Sequence, residues 1–121
     1  MANGITRYEA PGIVLVKTES GESMKYDPDI VDIAFLVRKA YKPGDTIKIA
    51  VEMNQYASDD DKIIWSYRLK DIIGNENFEY TFSKEDIGKN FRIGCKIVSA
   101  KEWHRYGKYD HEVTIYVNVI P

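Results

Sequence analysis

The chain has 121 residues, with 17 Lys and Arg against 19 Asp and Glu, and a net charge of −2 with both histidines neutral. At this length one domain is expected, and 44% apolar against 30% charged residues lets about two thirds of the unfolded surface be buried, which excludes an intrinsically disordered chain. The slightly acidic balance lacks the electrostatic term that drives non-specific nucleic-acid binding, so no nucleic-acid partner is expected.

The opening Met1-Ala2-Asn3-Gly4-Ile5-Thr6-Arg7 has no basic region followed by an apolar one, and no stretch of the sequence has the length of a membrane span. As written, the chain is expected to be cytoplasmic with no membrane partner, export without a classical signal being the alternative. The single cysteine, Cys95, has no intramolecular partner for a disulfide, which fits a reducing compartment.

In chain order, Ile13-Val14-Leu15-Val16 follows Pro11-Gly12 and reads as a short strand. The segment from Asp27 to Val37 has two readings. Asp27 could cap a helix with Pro28 in its first position. A strand is favoured, because Val31, Ile33, Phe35 and Val37 make one β-branched and aromatic face. Pro43-Gly44 then turns the chain into the clearest alternation, with Ile47, Ile49, Val51 and Met53 on one face and Thr46, Lys48 and Glu52 on the other.

The next strand, 62–69, places Ile63, Trp65, Tyr67 and Leu69 inward, and a loop with Gly74-Asn75 follows it. Phe78, Tyr80 and Phe82 alternate in a short strand. Ser83 then caps one helical turn, with Asp86 in the third position and Gly88 closing it. Phe91, Ile93, Cys95 and Ile97 form one inward face, and Val113, Ile115, Val117 and Val119 form the last. The core is expected to include Trp65, Cys95, Ile49, Val51, Phe91 and Ile93. About seven short strands between turn signals predict an all-β, antiparallel β-sandwich.

The residues Pro43-Gly44-Asp45-Thr46, the strand-central Trp65, and Asp86-Ile87-Gly88-Lys89 leading to Cys95, 30 residues after Trp65, together resemble a bacterial immunoglobulin-like domain over about residues 30–121. The resemblance implies an immunoglobulin-like sandwich with an N-terminal extension over residues 1–29 that contains a short strand. It also implies that Trp65 stands in strand C facing strand F. The chain departs from the family pattern where Ile49 or Val51 occupies the place of the strand B cysteine and Phe91 stands near the tyrosine-corner position. Immunoglobulin-like inhibitors of cysteine peptidases are of similar size, but their Asn-Pro-Thr-Thr-Gly signature is replaced by the segment 54–61, so the resemblance does not extend to that activity.

Two loops carry candidate chemistry, those lettered BC and FG in the family. The first holds Asp59, Asp60 and Asp61, consecutive carboxylates that do not all converge on one ion. The second, residues 101–111, holds Trp103, His104, Arg105, Tyr106 and Tyr109, and Trp, Tyr and Arg are the residue types most enriched at binding hot spots. In this topology both loops are expected at one end. His104, Asp110 and His111 are compatible with zinc but unspecific, and ordinary surface histidines with no metal are expected.

There is no phosphate loop, nucleophile elbow or metalloprotease motif, and Glu76, Glu79, Glu85 and Asp86 form no evident acid and base pair. Cys95, inward on a strand, reads as a buried hydrophobe. The expectation is a non-enzymatic protein-binding or assembly module without cofactors, an accessory piece of a bacterial secretion, toxin or surface system. Its partner would be another protein. The alternatives are glycan recognition, in which Trp103, Tyr106 and Tyr109 stack on sugar faces with or without Ca²⁺, and an inhibitor or immunity protein that plugs an enzyme cleft.

Overall fold

A computed structural model describes residues 11–26, 32–98 and 110–121, with backbone alone at Asp32, Lys89, Asp110 and His111. Among these residues the strands are β1 (Ile13–Thr18), β2 (Ser23–Lys25), β3 (Asp32–Tyr41), β4 (Thr46–Met53), β5 (Lys62–Tyr67), β6 (Lys70–Gly74), β7 (Asn77–Thr81), β8 (Gly88–Val98) and β9 (Asp110–Val119), and a 3₁₀ turn spans Lys84–Asp86. They form two sheets, β2-β1-β4-β7 and β3-β9-β8-β5-β6, packed as a sandwich.

The expected all-β sandwich is therefore present. All seven strands read from the alternation exist, and among the described residues β2 and β6 add two more. Among the described residues every pairing is antiparallel except β3 with β9, which is parallel. The segment with two readings is extended from Asp32 to Tyr41, where Ile33, Phe35 and Val37 are buried. Its β-branched face decides against the helix. β1, which precedes residue 29, pairs with β4 inside the first sheet.

The core lies between the inward faces. Trp65, Ile49, Val51, Ile93 and Cys95 are buried, while Phe91 is half-buried against the same cluster. Each fully buried aliphatic or aromatic side chain contributes roughly 1.5–3 kcal/mol of transfer free energy, which is why a strict period of two fixes the strand faces. At the centre, Trp65 stacks on Phe78 with ring centroids 4.7 Å apart and donates Nε1–H to the Asn75 carbonyl at 2.8 Å. Gly74 permits this approach, since a Cβ there would lie 3.0 Å from Trp65 Cδ1.

Two local expectations change. The alternation from Ile63 continues to Leu69 in sequence, but β5 ends at Tyr67, and Arg68-Leu69 make a two-residue turn into β6. Leu69 is therefore fully exposed, not inward. The turn at Ser83 forms as expected, with Asp86 accepting the Ser83 N–H at 2.8 Å. It closes at Ile87, whose N–H reaches the Lys84 carbonyl, while Gly88, at φ +153°, opens β8.

Candidate functional site

At one end of the sandwich the loop 54–61 meets the connection from β6 to β7. Short polar side chains lock both segments to their own backbones. Asn54 Oδ1 accepts the Tyr56 N–H at 3.1 Å, Asp61 Oδ2 accepts the Ser58 N–H at 2.9 Å, and Asn75 Oδ1 accepts the Asn77 N–H at 2.8 Å. The loop is tied to the residue before β1, where the Asn54 N–H donates to the Gly12 carbonyl at 2.8 Å, and the connection is tied to β4, where the Val51 N–H donates to the Glu76 carbonyl at 2.9 Å.

Between these segments lies an open groove of about 810 Å³. Among the described residues, four carboxylates line it, Glu52, Asp59, Asp61 and Glu76, with one cation, Lys17. The amides of Asn54, Asn75 and Asn77 line it as well, and Ile63 and Ile97 contribute apolar surface. Such a wall can accept hydrogen bonds from cationic or hydroxylated groups and can offer amide donors and acceptors in return.

Of the three consecutive aspartates, Asp59 and Asp61 line the groove and Asp60 does not. Asp61 is also engaged in shaping its own loop, so one member of the run serves the turn. The aromatic loop residues Trp103, His104, Arg105, Tyr106 and Tyr109 lie outside the described residues. The strand ends that bracket them are described: Val98 pairs with both Asp110 and Lys62, at the edge where the loop 54–61 enters β5. Glu52, Glu76 and the asparagines share no local pattern in the sequence, because they come from β4, the loop 54–61, the connection from β6 to β7, and β7.

A second polar cluster sits at the opposite end of β5. Asp86 has no exposed side-chain surface and accepts hydrogen bonds from Arg68 Nε at 2.6 Å, from the Tyr80 hydroxyl at 2.7 Å and from the Ser83 N–H. Burial pushes its carboxyl up, but these donors outweigh burial and hold it below the ordinary carboxylate value. Burial, with the same contact, raises the Tyr80 phenol to about 12. No reacting atom could reach a carboxylate so enclosed, so the cluster holds structure together and offers no chemistry.

Burial likewise pushes the Cys95 thiol up, so this sulfur is no nucleophile at neutral pH. Among the described residues no group of three or more His, Cys, Asp and Glu side chains could hold a metal ion. No described helix is long and apolar enough to cross a membrane. No family model matches the sequence, and no curated protein matches it.

Proposed function

We propose that the chain is a non-enzymatic, immunoglobulin-like binding module that grips another protein through the loop 54–61 and the connection between β8 and β9. On this reading it serves as an accessory component of a bacterial secretion, toxin or surface system. The observation that carries the reading is the groove: among the described residues four carboxylates and three amides line a volume of about 810 Å³, with no nucleophile set beside an acid and base pair there. The strand order supports the immunoglobulin-like part. β1-β4-β7 opposite β9-β8-β5 is the order A-B-E opposite G-F-C of such sandwiches, and Trp65 lies beside Cys95 as strand C lies beside strand F.

The test is capture of partners from native extract by the wild-type chain, by Asp59→Lys with Glu76→Lys, and by Trp103→Ala with Tyr106→Ala. A protein held by the wild type and lost from both variants, with their unfolding temperatures unchanged, supports the reading. The same set captured by all three overturns it.

A second reading, glycan recognition, is favoured by the mixture of amides and carboxylates, the groups that bind sugar hydroxyls. A glycan array in Ca²⁺ and in chelator separates the two, because silence in both conditions removes the sugar.

A further inference from the structure

The turn from β1 to β2 is tight, with the Thr18 N–H donating to the Glu22 carbonyl at 2.9 Å and Gly21 at φ +92°. It carries two glutamates that reach across to other strands. Glu19 Oε1 accepts the Lys48 N–H of β4 at 2.7 Å, and its Oε2 accepts the Tyr41 hydroxyl at 2.7 Å, with Lys39 Nζ at 3.4 Å. Glu22 Oε1 accepts the Arg38 N–H at 2.6 Å, and its Oε2 accepts the Lys39 N–H at 3.0 Å and the Ser20 hydroxyl at 3.1 Å.

The two Glu22 contacts fall where β3 leaves its ladder. Pairing with β9 shifts between Leu36 and Ala40, and Arg38 and Lys39 turn their amides to a carboxylate in place of a strand. Glu22 thus joins a hairpin of one sheet to the edge strand of the other. β2 itself is exposed at all three residues and is held by its ladder to β1 and, beyond Lys25, by Tyr26 packed on the core. With so little buried area in β2, the turn end of the hairpin is held by one backbone bond, the Glu19 N–H to the Lys48 carbonyl at 3.1 Å, and by the two glutamate carboxylates.

We propose that this turn is an acid-released latch, in which the ionised Glu19 and Glu22 bond the β1–β2 hairpin across the seam to β3 and β4. Proton uptake frees the turn and the edge of β3 while the core stays folded. A protonated carboxyl has one oxygen that has become a donor, and it then faces the N–H groups it had accepted from. The charged and titratable groups around the pair are Arg38, Lys39 and Tyr41 of β3, with the Lys48 amide of β4 and the Thr18 and Ser20 hydroxyls of the turn. Burial pushes both carboxyls up, the hydrogen bonds outweigh it, and each ends below its ordinary value. The latch is therefore closed at neutral pH and opens as pH falls through those lowered values.

The experiment follows backbone amides of the labelled wild-type protein by NMR from neutral pH to about pH 3, a range that spans the ordinary carboxylate values. The Arg38 and Lys39 amide shifts are expected to titrate together, with a midpoint below the ordinary 4.5 of a glutamate. Glu22→Gln should abolish that titration and lower the exchange protection of both amides about tenfold, while Glu19→Gln does the same at Lys48. Ile93 and Ile115, in β8 and β9, should keep their protection throughout. If the wild-type amides do not titrate, or if Ile93 and Ile115 lose protection together with the turn, the latch does not exist as a separate unit.

Discussion

Arg68 Nε lies 2.6 Å from Oδ1 of Asp86, and this contact ties the turn between β5 and β6 to the 3₁₀ turn that precedes β8. The two partners differ in exposure: the Asp86 side chain is wholly buried, and that of Arg68 is 42% exposed. The carboxylate is thus the member whose loss leaves donors stranded. We predict that Asp86→Asn costs about 2–3 kcal/mol, because charge-assisted hydrogen bonds weaken and one oxygen becomes a donor facing donors. Urea unfolding at neutral pH measures it.

The same carboxylate sets an acid limit. Its folded value lies below the ordinary 3.8, so its contribution is complete above that value and is lost as pH falls through the folded one. Wild-type stability should therefore drop as pH is lowered below about 4, and Asp86→Asn should flatten that drop. Parallel slopes for the two proteins in a pH series of unfolding midpoints would refute the assignment.

Leu69 sits at φ 64° and Arg68 at φ 49°, left-handed conformations that a two-residue hairpin turn prefers to fill with Asn and Gly. Since the Leu69 side chain is fully exposed, removing it sacrifices no burial. Leu69→Gly is predicted to stabilise the fold by about 1 kcal/mol, seen as a higher urea midpoint at unchanged slope.

Trp65→Phe removes the Nε1–H donor to Asn75 and part of the stack on Phe78. The Asn75 carbonyl is on an exposed residue and can turn to water, so most of the loss is packing. A cost of about 1–3 kcal/mol is expected from thermal unfolding.

Cys95 is wholly buried and its thiol is pushed up by burial, the charge of Glu112 adding to the effect. Labelling by a thiol reagent at neutral pH should be slower in the native protein than in urea by a factor of about a thousand or more, limited by opening of the sheet. Cys95→Ser should cost about 1–3 kcal/mol by burying a hydroxyl where no partner was provided.

The sandwich could be read from sequence wherever one face of a strand is buried and the other wet. Ile47, Ile49 and Val51 alternate with Thr46, Lys48 and Glu52 for that reason. β2 and β6 could not be read, because their residues are all exposed and leave no alternation. The end of β5 was missed because Arg68 and Leu69 lack the residues that announce a turn, and the apolar period ran on past the reversal. The Ser83 and Asp86 pair is local and legible, but the approach of Arg68, 18 residues away, is a product of packing. The same holds at the groove: Asp59 and Asp61 stand together in sequence, whereas Glu52 and Glu76 reach it from a strand and a connection that only the fold brings near.

β9 lies between β3 and β8, and its pairing with β3 joins Asp32 to Glu112, partners 80 residues apart. During synthesis the ribosome must deliver β9 before either neighbour can be completed, so until then the edges of β3 and β8 that it pairs with stay open. Folding of this sheet is in consequence a late and concerted event, slower than local hairpin closure, and a nascent chain halted before Val113 presents two open strand edges to whatever binds unfinished proteins.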